Sequence, residues 1–558
     1  MNGLVMLIIS AVVLLLAYVF YGRWLARKWG IDPQKKTPAH EFQDGVDYVP
    51  TPPSIVFGHE FASIAGAGPI NGPIIAAMFG WVPVLLWILI GGIFFGAVQD
   101  FSAIYASVKN KGKTIGYIIE TYIGKTGKRL FLLFVWLFSI LVVAAFADIV
   151  AGTFGGFNAE GAPVAANASV ATTSILFIFA AVGLGFILKK HRPNGLISGI
   201  IAVALLVLCI ALGITFPVFV QKSLWLYFVF IYIFIASVTP VWALLQPRDY
   251  LNSFLLIAMI AGAFIGIVFS APAISIPAFT GFNVNGNYLF PVLFVTVACG
   301  AVSGFHSLVA SGTASKQIDN EKHMLPISFG AMLVESFLAV IALITVGALA
   351  VGGKLPAGTP PVIFASAISG FLLKLGLPEN VTYTLITLAV SAFALTSLDS
   401  VSRVGRLAFQ ELFSEDRADG SQASGVSAIL ANKYVATLLT LFVGYLLAIL
   451  GYQNIWPLFG SANQLLAALA LIACAVFLKK TKRQGSMLYV PMFIMLAVTF
   501  TALIFTIRDK GGKLFNSTFS VAADGLQLVF AILLLALGIM VAVSGVSKLG
   551  EKAKPVRR

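Results

Sequence analysis

Apolar stretches of about 20 residues, each long enough to cross a bilayer as a helix, recur along the whole chain. Fifteen are read, at 3–22, 54–80, 82–108, 129–153, 171–189, 195–217, 224–246, 250–271, 289–313, 326–351, 380–402, 429–450, 456–478, 486–507 and 526–547. Segment 359–376 is shorter, follows Gly-Thr-Pro-Pro and reads as an interfacial or re-entrant piece on the outer side. Segment 113–124 is short and amphipathic and reads as lying along the inner surface. The connections are short, and charged residues make up only 10% of the chain, against roughly 25% in soluble proteins. So few charges cannot cover a water-exposed surface. A soluble enzyme, a nucleic-acid binder and a secreted disulfide scaffold are therefore excluded, and the fold class is all-α, polytopic and membrane-embedded.

The net charge of +14 needs no nucleic acid to explain it. With the N-terminus outside and the spans alternating, 30 of the 36 Lys and Arg residues fall on the inner side and 6 on the outer. This is the positive-inside asymmetry. It predicts a multi-pass cell-membrane protein with its C-terminus in the cytoplasm. The first span lacks a basic region ahead of it and is followed by Arg23, Arg27 and Lys28, so it reads as a retained helix and not as a signal peptide. The basic tail from Lys548 is placed at the inner lipid surface. Cys209, Cys299 and Cys474 lie in apolar runs with no Cys or His at metal-ligand spacing. No metal site and no cofactor is expected.

Two spans carry helix breakers at their centres. In 54–80, Gly66, Gly68 and Pro69 are followed by Gly72 and Pro73. In 224–250, Pro240 and Pro247 bracket Val241–Gln246. Proline removes a helix donor, and unsatisfied backbone at membrane depth is tolerated only where it lines an enclosed cavity. The two segments start on opposite sides, and each opens a run of five spans. The pattern predicts a 5+5 inverted repeat with a binding site at the breaks. The expected divisions are an N-terminal helix and inner loop (1–53), a first repeat (54–217), a second (218–402) and C-terminal helices with the basic tail (403–558).

The stretches GHEFASIAGAGPINGP (58–73), AVQDFSAI (97–104), FALTSLDSVSRVGR (393–406) and NIWPLFGSANQLLAALAL (454–471) closely resemble the carbon starvation protein A (CstA) family. The resemblance implies an inner-membrane secondary transporter with a LeuT-like core. Members are linked to peptide uptake under nutrient limitation and, in some cases, to proton-coupled pyruvate uptake. The expected function is ion-coupled import of short peptides in response to carbon starvation, with proton-coupled pyruvate symport as the alternative. A membrane nutrient sensor is a reading from a different class, and the inner loops are too short for the signalling domain it would need. No enzymatic activity is expected. The expected partners are a small-molecule substrate and membrane lipid, not nucleic acid.

Ionisable residues inside spans usually face a cavity or a partner. Here they are His59, Glu60, Asp100, Asp148, His306, Glu335 and Asp399. Glu60, on the first broken helix, is a candidate for binding a proton or a substrate amine, or is a buried acid paired for assembly. His59, Gly66 and Gly68 join it as substrate-binding candidates, as do Trp242 and Gln246 at the second break. The coupling ion is H⁺ or Na⁺. Glu60 and Asp100 would serve a proton. For sodium, Ala65 at the break joins the stripe Ser303, Ser307 and Ser311 with nearby Thr313, because LeuT-like transporters place hydroxyls of the eighth core helix beside the first break. That register makes 289–313 the eighth helix. A rival register gives the role to 380–402, with its TSLDSVSR, if two helices are inserted earlier. His306 reads as a satisfied core histidine. No Lys or Arg is placed at the midplane.

Overall fold

Glycine and proline at 66–69 set the first bend. The computed structural model describes residues 1–44, 47–158, 160–191, 195–239, 244–413, 425–515 and 519–551. After α1 (Gly3–Trp29), the helices α2 (Pro53–Ile64) and α3 (Gly68–Phe79) are bent by 46° at the break between them. Ala65 leaves helical geometry with ψ 57°. Pro69 falls in the first turn of α3, where a missing N–H costs no helix bond.

The chain continues through α4 (Trp81–Lys109), α5 (Ile115–Tyr122), α6 (Lys125–Phe154), α7 (Ala165–His191), α8 (Gly195–Thr215), α9 (Lys222–Val238) and α10 (Leu245–Ser270). A two-residue antiparallel ribbon pairs Asn283 and Val284 with Tyr288 and Asn287. Then come α11 (Leu289–Thr296), α12 (Ala298–Ala301), α13 (Gly304–Gly312), α14 (Glu321–Leu349), α15 (Pro360–Leu373), α16 (Glu379–Phe413), α17 (Lys433–Ala448), α18 (Tyr452–Lys480), α19 (Ser486–Phe515) and α20 (Leu526–Gly550). Among the described residues, eleven helices are long and apolar enough to cross a membrane, or twelve if the bent pair is one span. The protein is a multi-pass membrane protein. Two further expected spans are short helices, of 17 residues in α9 and 16 in α17.

Segment 289–313 departs from the expected continuous span. It is three helices, because Val297 takes φ −90° and ψ 44° and the pair Val302–Ser303 is extended. The extended backbone leaves the Phe305 N–H without a donor's usual partner one turn earlier. The side-chain carbonyl of Asn463 on α18 accepts it at 3.1 Å, and Asn463 also exchanges hydrogen bonds with Ser303 Oγ. Gly304 permits this approach, since a Cβ there would strike the backbone of Asn463 and Ala467. The break expected at Pro240–Pro247 lies largely outside the described residues, between the end of α9 and the start of α10.

The two described breaks lie against each other. A Cβ on Gly72 would stand 2.6 Å from the Thr296 carbonyl oxygen, and one on Gly68 would strike Cys299. Around them, α18 is buried along its apolar length, and most of α6 and α16 is buried. Peripheral helices turn large apolar side chains outward, among them Phe20, Phe179 and Phe269. That surface suits hydrocarbon and not water.

Candidate substrate and ion site

The breaks enclose a cavity of about 10 Å³, roughly the room one water needs. Its walls include Ile64, Gly66 and Gly68 from the first break, Cys299, Ser303 and Phe305 from the second, and Ser397 and Asn463. Phe138, Phe146 and Phe459 close it with aromatic faces. Ser397 Oγ lies 3.4 Å from the Ser63 carbonyl oxygen, and a Cβ on Gly66 would come within 2.5 Å of Ser397 Oγ. The hydroxyl presented to the first break therefore comes from α16, the helix of the rival register.

The expected hydroxyl stripe is spent elsewhere. Ser303 is on the extended break and belongs to the cavity wall. Ser307 Oγ donates to the Gly304 carbonyl at 2.6 Å, Ser311 Oγ to the Ser307 carbonyl at 2.6 Å, and Thr313 Oγ1 to the Val309 carbonyl at 2.9 Å. Ser311 Oγ also accepts from the Ile115 N–H at the start of α5. These bonds tie α13 to itself and to its neighbours. Only Ser303 leaves the stripe through the broken backbone, whereas Ser307 and Ser311 stand one turn apart on the continuous α13.

Other expected residues fall as follows. Gly66, Gly68 and Ala65 are at the first break, with Ala65 fully buried. Glu60 is buried on α2 and its Oε2 has no hydrogen-bond partner. His59, beside it, is half-buried and lies within electrostatic reach of Asp249 on α10. Asp100 is buried and faces His306 at 2.9 Å. Asp148 is held at the edge of the bundle, 2.7 Å from Lys222 Nζ and accepting the Tyr452 N–H at 2.9 Å. Trp242 and the Gln246 side chain lie outside the described residues.

A buried cation was missed. Arg248 is 2% exposed and pairs with Asp399 on α16, the Tyr232 hydroxyl on α9 completing the contact. The sequence QPRDY looks like a loop, and only the tertiary contact with an acid 151 positions away shows otherwise. Asp399, an intramembrane acid in the sequence, was the available signal: a buried acid calls for a buried partner.

The CstA family model, described as "Carbon starvation protein CstA", matches residues 2–355 and 353–502. The chain is 33% identical over 591 residues to the "Peptide transporter CstA" of Escherichia coli (strain K12), covering 90% of this chain and 80% of that protein. It is 31% identical to the protein of the same name in Bacillus subtilis (strain 168), covering 99% and 98%. It is 32% identical to the E. coli "Pyruvate/proton symporter BtsT", covering 92% and 82%. Among solved structures, the fold is similar to that of an Eremococcus coleocola manganese transporter, with a TM-score of 0.50 at 11% identity over 91% of this chain and 99% of that one. The likeness concerns the fold alone, a LeuT-like transporter architecture. With the matching motifs spread from the first break to α18, the chain belongs to the carbon starvation protein CstA family.

Proposed function

We propose that this protein is a proton-coupled secondary transporter that imports short peptides across the cell membrane during carbon starvation. The observation that carries the reading is the closed cavity where the two discontinuous helices meet. Its lining mixes free backbone geometry at Gly66 and Gly68 with the hydroxyls of Ser303 and Ser397 and the Asn463 amide. Such walls bind by backbone and neutral polar groups, which suits a ligand carrying amides. At the N-terminal end of α3 the Gly68 N–H is the group for a substrate carboxylate, since Pro69 has none and the Ile70 and Asn71 N–H groups donate to the Ala67 carbonyl. Protons are favoured over sodium because acids and an imidazole are buried beside the breaks.

Pyruvate is the second reading, favoured by the walls' capacity for one carboxylate. Uptake of labelled pyruvate and labelled di- and tripeptides into proteoliposomes, under imposed proton or sodium gradients, separates the two. Peptide accumulation under a proton gradient is the expected result. Accumulation of pyruvate alone would replace it with the second reading.

We assign α16 as the eighth core helix, with α11–α13 as the second discontinuous helix. The orientation we assign has the N-terminus outside and the C-terminus in the cytoplasm. Cysteines introduced at the exposed positions Glu160 and Thr280 should then react with an impermeant maleimide from outside. Those at Lys28 and Lys322 should react only after permeabilisation. The opposite accessibility at these sites would invert the assignment.

A further inference from the structure

The acids that the sequence scatters over separate segments converge on one imidazole. His306 on α13 is fully buried. Its Nδ1 lies 2.9 Å from Asp100 Oδ2 on α4, and its Nε2 lies 3.2 Å from Glu335 Oε2 on α14. The second contact is at ion-pair distance but off the line of a hydrogen bond, and both Glu335 carboxylate oxygens lack a hydrogen-bond partner. Glu60 on α2 lies within electrostatic reach of Asp100 and His306, and its buried Oε2 is likewise unpartnered. Among the described residues, the other titratable group facing the cluster is the Cys299 thiol, within reach of Glu335. From α18 the neighbours are neutral, chiefly Asn463.

Three carboxylates and one imidazole in this setting cannot all be ionised. With an imidazolium present the cluster would still carry two net negative charges, and each buried ion costs several kcal/mol. Protons must be shared among them. Here Glu60 and Glu335 leave bonds unmade, and those oxygens are where a proton can be gained or released.

The cluster is mechanically joined to the cavity. Ser303 and Phe305 form its wall, and His306 is the next residue. With its amide turned to satisfy both neighbours, Gln99 donates to Asp100 Oδ1 at 3.1 Å and to the Ser303 carbonyl at 2.9 Å. Glu60 is one turn before Ile64, another wall residue. Its four members sit on α2, α4, α13 and α14, and both discontinuous helices contribute one each. Movement of either helix on substrate binding changes the distances that set proton affinity.

Resting on the proton-coupled reading above, we infer that the coupling proton is carried by the cluster Glu60, Asp100, His306 and Glu335, with His306 passing it between Asp100 and Glu335 as the discontinuous helices move. In each cycle one proton enters from one side, is held as a carboxyl O–H or an imidazolium N–H, and leaves to the other side. No electron transfer is involved.

The test is Glu335→Gln, which keeps the side chain's size and removes its titration, beside His306→Gln and the conservative Glu335→Asp. The probes are labelled pyruvate and labelled alanyl-alanine in proteoliposomes. Under an inward proton gradient, accumulation by Glu335→Gln and His306→Gln should fall to the level reached without a gradient. Substrate-driven alkalinisation of the external medium should vanish with it. Exchange of external label for preloaded substrate should persist, and Glu335→Asp should recover part of the accumulation. Accumulation at the wild-type level in both glutamine variants would overturn the assignment. So would loss of exchange in Glu335→Gln and Glu335→Asp together, which would make the cluster structural. Wild-type accumulation driven by sodium alone would refute the proton cluster and leave symport standing. Wild-type failure to accumulate either probe under any gradient would remove the symport reading and this one with it.

Discussion

Asp399→Ala should destabilise the folded protein by about 3–5 kcal/mol, the usual cost of stranding one member of a buried ion pair. Asp399 is fully buried and Arg248 is 2% exposed. The Tyr232 hydroxyl donates to Asp399 Oδ2 at 2.8 Å, and Arg248 Nη2 donates to Thr396 Oγ1 at 3.2 Å. Asn252 Nδ2 donates to the same hydroxyl at 2.7 Å. One ion pair thus pins α9, α10 and α16 together. Without the Asp399 carboxylate, the guanidinium keeps Asp249 on its own helix at 3.4 Å, a contact that joins no second helix. The companion variant Arg248→Met/Asp399→Leu removes that pair and should recover part of the loss, because apolar replacement of a buried pair is often neutral, while Asp249 then loses its Arg248 partner. Thermal unfolding of the purified protein in detergent, followed by size-exclusion profile, reads both. An unshifted midpoint in Asp399→Ala would show that the pair does not hold these helices. A double variant as unstable as the single would show that the charges stabilise beyond their mutual pairing.

How much of this was legible in the sequence depends on whether a feature is local. The first break was, because Gly66, Gly68 and Pro69 disfavour helix by their own backbone chemistry. The membrane class was equally plain from apolar stretches and scarce charge. The second described break was not, since Val302 and Ser303 are extended without a proline. Their geometry is held by Asn463 on another helix. The same holds for the acids. Each of Glu60, Asp100, His306 and Glu335 announces itself as an ionisable residue in an apolar run, but their convergence on one imidazole is a tertiary fact. Arg248 was hidden by its neighbours Pro247 and Asp249, which made a helix start look like a loop. The serine stripe was legible only in part: Ser307 and Ser311 share a face of α13, while Ser303 lies on the extended break.

Gly68→Leu should abolish transport while the protein still inserts and purifies. Gly68 opens α3 at the first break, and a Cβ built there falls onto the Sγ and Cβ of Cys299 on α12. Cys299 cannot swing freely away, because the Asn463 Nδ2 lies 3.4 Å from its sulfur and holds the second break as well. A leucine must therefore push α3 and α12 apart or fill the cavity of about 10 Å³ that both residues line. Overpacking of this kind typically costs about 1–3 kcal/mol, small enough for the bundle to survive. The cavity itself is lost, so uptake should be too. Gly370→Leu, where an added Cβ meets nothing within 4 Å, is the matched control and should transport normally. The reciprocal swap Gly68→Ala/Cys299→Gly moves one methyl-sized group across the interface and should restore more uptake than Gly68→Ala alone. If Gly68→Leu takes up substrate with an unchanged KM, the contact between the two breaks is packing only, and the substrate must bind elsewhere.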